Sequence, residues 1–560
     1  MIGIDPPEPS ARLPSWYLAL SAVERRADWS VAGVPPGCPT IESEPPATTD
    51  DGTRRSWNSS PQVKAPESLA VGSAVEEDGR AARTEPSGQQ PASAPLGQVA
   101  VKSGSYLVAR EAVGMVIRLV GIVITVRAIG PRAYGIYAGS AAYVLFISAF
   151  AQMGSEIYLI RSPRALERSD YDQAFTLLLC TSFAATAASL GLTFAFAPWL
   201  RPIGVLLPLR ILLLSIPINV LWAPAQAAIE RQFRYRRMGI LEVGGDLALY
   251  CTAVPLALLG AGAWSLVAGF FAWQTWLLLG SFAMSGLRPS WNWSRAAMRE
   301  MARHGLTFSV SQWVGRLSGL VNPLVVGTFA GAVGVGYVAF AYRLTDTLAF
   351  AQRGAYRLGM VAMSRVHSSE TERLRYGIEE GSLLQLVALA LPFAVFGLFA
   401  HWLIPLLFGH VWVHAIPIYT LLALAVVLNA QGIIQTTFLY SRGYNNSVTL
   451  AAVVQTVVLA VTSVVLVKHY GIDGFGYAFL IALVDLVVLD RMVRRVTKIS
   501  YRRHIPFVVA FSPLVLFPLV AMPWELLLLV PFVVFSFIPS FRNEETRIVR
   551  LIRSSLRRSP

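Results

Sequence analysis

Long apolar stretches recur along the chain from Tyr106 onward, and short polar loops separate them. A run of about 20 apolar residues crosses a bilayer as a helix, and a helix satisfies its own backbone polar groups inside hydrocarbon. The pattern therefore predicts an all-α integral membrane protein of about 14 transmembrane helices. The predicted spans are 106–128, 134–160, 172–197, 205–229, 238–259, 262–285, 305–329, 334–352, 379–408, 413–440, 447–467, 474–490, 505–521 and 524–539.

Charge alternates from loop to loop along these spans. With the N-terminus inside, the inner loops and the C-terminal tail carry 29 arginines and lysines, whereas the outer loops carry Arg132, Arg201 and Lys468. Cytoplasmic loops are the ones enriched in arginine and lysine. The asymmetry predicts a multi-pass protein of the bacterial inner membrane with both termini cytoplasmic.

Residues 1–103 have a different composition. They contain 14 of the 34 prolines, and they carry 9 Lys/Arg against 13 Asp/Glu without a sustained apolar period. Such a segment buries too little apolar surface to offset the entropy of ordering it, so we expect a disordered cytoplasmic tail. The chain has a net charge of +14, and the membrane part alone carries +18, mostly in short loops, which argues against a nucleic-acid partner.

A glycine-rich turn occurs twice. Gly130 and Gly331, like Gly135 and Gly336, are separated by 201 residues, and six predicted spans lie between the two turns. An even number of spans predicts two parallel halves, and transporters commonly place the substrate path between such repeats.

Two predicted spans carry polar and small residues at helical spacing, which places each set on one helix face. The sets are Glu111, Gly114, Arg118, Gly121 and Thr125 in the first span, and Ser309, Gln312, Arg316, Gly319 and Pro323 in the seventh. Ionisable residues within a span are costly and are default functional candidates. We expect the two faces to line a cavity in which Arg118 and Arg316, with Glu111 and Gln312, bind an anionic headgroup through planar guanidinium groups. The alternative is a structural ion pair between Arg118 and Glu111.

Further ionisable residues suggest coupling or pairing. Asp246 and Glu242 in the fifth span are candidates for binding a coupling proton or sodium ion, although Asp246 could instead pair with a nearby arginine. Arg343 is a further substrate-binding candidate, and its alternative role is an internal pair with Asp346. His410 and His414 have the spacing of a metal pair, but interfacial aromatic neighbours favour a position at the membrane surface, so we predict no metal and no cofactor.

Several motifs resemble those of the polysaccharide and oligosaccharide flippases within the multidrug/oligosaccharidyl-lipid/polysaccharide exporter superfamily. They are Ile129–Tyr137, Gly262–Val267, Gly336–Leu344, Phe408–Trp412 and Gly471–Gly476. The resemblance implies two six-helix lobes around a central cavity and the flipping of undecaprenyl-pyrophosphate-linked sugar units. The corresponding segments are 104–286 for the first lobe, 287–304 for a linker, 305–500 for the second lobe, 501–541 for an extra helix pair and 542–560 for a basic cytoplasmic tail.

Three other functions remain open. A drug or cation antiporter and a flippase of the lipid-linked peptidoglycan precursor belong to the same superfamily, whereas a polymerase or acyltransferase would be an enzyme. The outer loops are short, and neither H-E-x-x-H nor G-x-S-x-G occurs, so we do not expect an enzyme. The expected partners are polyprenyl-pyrophosphate-linked oligosaccharide, membrane lipids, and a polysaccharide polymerase with its chain-length regulator.

Overall fold

The structure is a computed structural model that describes residues 96–162, 164, 166–200, 204–232, 234–349, 371–520, 524–538 and 546–547. Most of the tail predicted at 1–103, and most of the basic tail at 542–560, lie outside the described residues. The chain from Pro95 onward forms one compact unit.

The described residues of this unit form helices. Those of the first lobe are α1 (Leu96–Gln152), α2 (Ser155–Arg161), α3 (Arg168–Ala195), α4 (Ala197–Leu200), α5 (Leu206–Leu213), α6 (Ile216–Leu221), α7 (Ala223–Arg231), α8 (Tyr235–Leu258) and α9 (Ala263–Ser285). Those that follow are α10 (Arg295–Val321), α11 (Gly327–Leu348), α12 (Thr371–Phe408), α13 (Ile416–Leu428), α14 (Ala430–Ser441), α15 (Asn445–Tyr470), α16 (Asp473–Ala482), α17 (Asp485–Val496), α18 (Ile505–Val515) and α19 (Val530–Phe537). A single π-helical turn, Asn322–Val326, joins α10 to α11.

The repeated glycine turns are sharp breaks within continuous helical segments. Gly130 in α1 has φ 71° and ψ 174°, and Gly331 in α11 has φ 64° and ψ −167°. A positive φ is cheap only for glycine, which explains why both turns need this residue. Each break divides a long apolar segment, Gly114–Gln152 or Gln312–Leu348, into two spans. Together with the seven other long apolar helices and the shorter ones, this confirms the prediction of about 14 transmembrane helices.

The second predicted span, 134–160, ends earlier than its apolar pattern indicated. Met153 and Gly154 adopt positive φ values of 47° and 68°, so the helix stops and α2 begins in a new direction. The apolar span ends at Gln152, and α2 lies beyond it. We call this end of the bundle, where the arginine-rich loops meet, the basic end.

The two halves of the repeat meet backbone to backbone. A Cβ atom on Gly135 would lie 1.8 Å from the carbonyl oxygen of Ala332, and one on Gly336 would lie 2.0 Å from that of Pro131. Only glycine allows helices to approach this closely. The first lobe (α1–α9) and the second lobe (α10–α17) therefore contact each other at matching positions of the repeat, at the end of the bundle opposite the basic end.

The last two helices form a short hairpin beside the second lobe. Phe511 of α18 packs edge to face on Phe532 of α19, with ring centroids 5.5 Å apart. Gly397 of α12 lies against the backbone of α18, because a Cβ there would be 3.1 Å from the carbonyl oxygen of Leu514. At 1.5 Å per residue, α18 extends about 16 Å, roughly half of the hydrocarbon core.

Candidate functional site

An ion pair joins the first and fifth spans inside the bundle. The Nη1 atom of Arg118 on α1 lies 2.7 Å from Oδ2 of Asp246 on α8, and the two side chains are 29% and 16% exposed. Gly114, one turn before Arg118, leaves room for the guanidinium group, since a Cβ there would lie 3.2 Å from Nη1. The structure therefore pairs Asp246 with an arginine, which is the alternative that the sequence left open.

An aromatic contact supports this pair one turn further along. The ring of Tyr250 on α8 lies flat against Gly121 on α1, where a Cβ would come within 2.2 Å of the ring. Because Asp246 and Tyr250 are four residues apart, both side chains face α1. Thr125, the last residue of the predicted face, is buried and donates from its hydroxyl to the carbonyl oxygen of Gly121 at 2.7 Å. Much of the predicted face of the first span thus packs on α8.

Arg343 brings the second lobe into contact with this group. It lies on α11 beside the hydroxyl groups of Tyr250 and Tyr134 and interacts electrostatically with both, as well as with the Asp346 carboxylate. We name Arg118, Asp246, Tyr250, Tyr134 and Arg343 the cross-lobe cluster. It holds two guanidinium groups and one carboxylate, and an anionic ligand would have to compete with Asp246 for Arg118.

The predicted face of the seventh span is more open. Gln312 and Arg316 on α10 are exposed, and Cβ atoms on Gly315 and Gly319 would meet nothing within 4 Å. Trp313 fixes the rotation of α10, because its Nε1 donates to the carbonyl oxygen of Ala149 at 2.9 Å. Among the described residues, none makes a hydrogen bond or close ion pair with Arg316.

The three arginines lie at a common depth in the membrane. Arg118 precedes Gly130 by 12 residues, Arg316 precedes Gly331 by 15, and Arg343 follows Gly331 by 12. At 1.5 Å per residue these offsets correspond to about 18 to 22 Å along the helices. All three are therefore within the roughly 30 Å hydrocarbon layer. Three arginines, contributed by both lobes, thus lie at a similar depth as counted along their helices.

The remaining predicted site residues have simpler surroundings. Glu242 is exposed on α8, one turn closer to the basic end than Asp246. Glu111 belongs to α1, but its side chain is not among those the structure describes. His414 packs on the ring of Tyr337 with centroids 5.9 Å apart. Within the described part of the chain, no three histidine, cysteine, aspartate or glutamate residues are grouped as metal ligands would be.

Sequence reasoning missed the two tyrosines and one carboxylate. Tyr250 follows Asp246 at helical spacing, a signal that could have identified it, but Tyr134 appeared only as part of a turn motif. Glu156 on α2 lies near Arg316 and was hidden inside the predicted second span. Its environment depends on the break at Met153 and Gly154, which the apolar pattern does not show.

Comparison with known proteins gives a consistent result. Residues 124–417 match the family described as "Polysaccharide biosynthesis protein". The succinoglycan biosynthesis transport protein ExoT of Rhizobium meliloti (strain 1021) is 24% identical over 403 residues, which cover 69% of this chain and 76% of that protein.

Two solved structures have a similar fold. The lipid II flippase MurJ in an inward closed conformation has a TM-score of 0.61 at 14% identity, over 80% of this chain and 99% of MurJ. A multidrug resistance transporter of the MATE family in an inward-facing conformation has a TM-score of 0.58 at 15% identity, over 70% of this chain and 98% of its own. At such low identity these likenesses concern the fold alone.

Proposed function

Because this chain belongs to the polysaccharide biosynthesis protein family, a family of membrane transporters, we propose that it flips lipid-linked oligosaccharide across the inner membrane. The proposed substrate is a sugar repeat unit on undecaprenyl pyrophosphate, destined for exopolysaccharide or an O-antigen-type surface polysaccharide. The observation that carries the proposal is the layer of Arg118, Arg316 and Arg343 at the junction of the two lobes.

The chemistry of this layer suits a pyrophosphate. Guanidinium groups are permanently charged and bind phosphate oxygens through pairs of parallel hydrogen bonds. Arg316 is exposed, so it can bind a headgroup without first leaving another partner. Gln312, one turn away on the same helix, offers both a donor and an acceptor to sugar hydroxyl groups. The polyprenyl tail would remain in lipid while the headgroup passes between the lobes.

On substrate binding, Arg118 would exchange the Asp246 carboxylate for the pyrophosphate of the headgroup. In the structure it is paired with Asp246 at 2.7 Å, and a pyrophosphate oxygen that binds Arg118 would displace this carboxylate. A carboxylate that loses its cation in a low-dielectric site becomes easier to protonate or to bind sodium. Asp246, with Glu242 one turn away, would thereby couple substrate binding to a proton or sodium gradient.

Arg343 would couple headgroup binding to the contact between the two lobes. It lies on α11 of the second lobe, yet it contacts Tyr134 and Tyr250 of the first. A headgroup that binds Arg118 and Arg316 would pull on both lobes, and alternating access requires the contacts between them to change.

The proposal includes orientation and partners. Both termini and the basic end would face the cytoplasm, in accordance with the loop charges. A polysaccharide polymerase and its chain-length regulator would receive the flipped units at the outer face. No catalytic step is proposed for the chain itself.

Gene deletion with complementation tests this function. We expect full-length lipid-linked repeat units to accumulate on the inner leaflet without the protein, and surface polysaccharide to be lost. The wild-type gene should clear the accumulated units, whereas the Arg118→Ala, Arg316→Ala double variant should not. Arg295→Ala, Arg299→Ala is the matched control, since it removes two exposed arginines from the basic end of α10.

Two results would contradict the proposal. Normal delivery of the repeat unit to the outer leaflet without this protein would exclude flipping for that polymer. Accumulation of drugs, or of the peptidoglycan precursor, in the deletion strain would instead favour one of the other transporters of the superfamily.

A further inference from the structure

A second group of charges lies between the arginine layer and the basic end, outside the cross-lobe cluster. It consists of Glu156 on α2, Glu230 on α7 and Arg316 on α10, and Glu156 interacts with both of the others. Glu156 and Glu230 belong to the first lobe, whereas Arg316 belongs to the second. The group therefore spans the junction between the lobes.

Backbone contacts hold α2 against the second lobe. A Cβ on Gly154 would lie 2.3 Å from the carbonyl oxygen of Gly305 and 2.4 Å from Oγ of Ser309. Conversely, a Cβ on Gly305 would lie 2.1 Å from the carbonyl oxygen of Met153. The positive φ of Gly154 turns the chain directly at this contact. Glu156, in the first turn of α2, is thus presented to α10.

The other end of α2 is clamped to α7. The guanidinium group of Arg231 donates to the carbonyl oxygens of Leu159 at 2.8 Å, Ser162 at 2.9 Å and Arg164 at 2.9 Å. These carbonyls lie at the C-terminal end of α2, where no intrahelical donor is available. Arg231 is therefore engaged with the backbone, and its neighbour Glu230 lies within electrostatic range of Glu156.

The surroundings of Glu156 favour its protonated form. Burial and then the like charge of Glu230 raise the pKa of Glu156 to about 7, against the opposing effect of Arg316. Tyr158, two residues further along α2, donates from its hydroxyl group to Oε1 of Glu300 on α10 at 3.3 Å, so that carboxylate is occupied elsewhere. A proton on Glu156 therefore removes its repulsion from the charge of Glu230.

Further polar residues lie on α7 and α9 of the first lobe. Trp222, Gln226 and Glu230 follow one another at four-residue spacing along α7, and Gln274 and Ser281 lie on the buried face of α9. Trp222 packs in the same apolar cluster as Leu277 of α9, which brings the two faces together.

Several of these polar atoms have no partner among the described residues. They are Nε1 of Trp222, Oε1 of Gln226, both amide atoms of Gln274 and Oγ of Ser281. Gln274 is 0% exposed and Ser281 is 1% exposed. An unpaired buried amide costs about 1–3 kcal/mol, so such groups are normally bonded to ordered water.

We propose that Glu156 and Glu230 form a proton-binding site in the first lobe, and that Arg316 links its occupancy to the contact between the lobes. When Glu156 is ionised, its charge attracts Arg316 and holds the basic end closed. When a proton binds, the attraction is lost and the lobes separate more readily there. This site shares Arg316 with the headgroup site proposed above, but its binding of a proton can be tested without any substrate.

Spin labels across the basic end test the proposal. The full chain, with Cys38, Cys180 and Cys251 replaced by serine, would carry labels at Gln232→Cys and Asn445→Cys, which are exposed positions in the two lobes. The protein would be placed in lipid nanodiscs, and label distances would be measured from about pH 5.5 to about pH 8.5, across the range in which a shifted glutamate titrates. We expect the distance distribution to shift with a midpoint near pH 7, following Glu156.

Isosteric variants identify the titrating group. Glu156→Gln should remain in the low-pH distribution at every pH, and Glu230→Gln should lower the midpoint because the like charge is removed. Glu372→Gln, at a carboxylate that is 88% exposed, should behave as the wild type. Infrared spectra of the same samples should show a protonated carboxyl band at low pH that is missing in Glu156→Gln.

Two outcomes would overturn the proposal. One is a wild-type protein whose distances and carboxyl band do not change with pH. The other is a Glu156→Gln protein, monodisperse and folded, that retains the wild-type midpoint. Neither result depends on what the transporter carries, so a failure here is distinct from a failure of the proposed function.

Discussion

The contact between Gly135 and the second lobe gives a prediction that can be worked through in numbers. In Gly135→Ala the new Cβ would lie 1.8 Å from the carbonyl oxygen of Ala332 and 2.6 Å from the amide nitrogen of Gly336. Both are backbone atoms within α11, so no side-chain rotation can relieve the clash. The helices would have to separate by about 1.5 Å to restore an ordinary contact.

The free-energy cost of Gly135→Ala comes from overpacking at the contact between the helices. Forcing an extra carbon into a packed contact costs about 1–3 kcal/mol, whereas alanine gains up to about 1 kcal/mol over glycine within a helix. The gain from alanine is the same in the open and closed states, so the overpacking penalty of about 1–3 kcal/mol is not reduced, and it applies only while this end of the bundle is closed. Since about 1.4 kcal/mol corresponds to a tenfold change in an equilibrium, we expect roughly a tenfold shift towards the state in which this end is open.

Distance measurements between the lobes would detect the shift. Labels at Leu259→Cys and His469→Cys lie at exposed positions of the first and second lobes near the glycine turns. Gly139→Ala is the matched control on the same helix, because its Cβ would lie 3.5 Å from Pro323 and 3.6 Å from Val335, both ordinary contacts. A Gly135→Ala protein with the wild-type distance distribution would refute the reasoning, and an equal shift in Gly139→Ala would show that the contact is not the cause.

Three further predictions concern single contacts. Arg231→Ala should lower the melting temperature, since about 2–3 kcal/mol of charge-assisted bonds to α2 are lost; a loss no larger than that of the exposed neighbour Arg234→Ala would contradict this. A double-mutant cycle on Arg118→Ala and Asp246→Asn should give a coupling energy of about 1–2 kcal/mol in thermal unfolding, because the pair is partly exposed; independent effects would exclude the ion pair. Tyr250→Phe should keep the ring on Gly121 and leave the stability of the protein unchanged, but it should slow transport. Gly121→Ala should destabilise the protein. Equal stability losses in the two variants would argue against a separate role for the hydroxyl group.

The membrane architecture could be predicted from the sequence because hydrocarbon imposes simple rules. Length and apolarity define the spans, and the glycines at 130 and 331 marked turns that only this residue adopts cheaply. The shared offset of 201 residues between the glycine turns also indicated the repeat. The structure places Gly135 and Gly336 at the contact between its halves.

The details of the site could be predicted only in part. Arg118 and Asp246 stood out because charges within a span are rare, but nothing in the sequence indicated that they would bind each other across 128 residues. The stacking of Tyr250 on Gly121 likewise depends on how α1 and α8 cross. Glu156 was concealed because the apolar pattern continues past Met153, where the backbone turns away.

Reconstitution tests the central claim most directly. The purified chain would be placed in liposomes that contain a fluorescent oligosaccharide on undecaprenyl pyrophosphate, and an impermeant quencher would report the label on the outer leaflet over time. We expect the wild type to make nearly all of the label accessible, and Arg118→Ala, Arg316→Ala to resemble empty liposomes. If the wild type leaves the inner-leaflet label protected, as in empty liposomes, then the chain does not flip this class of lipid.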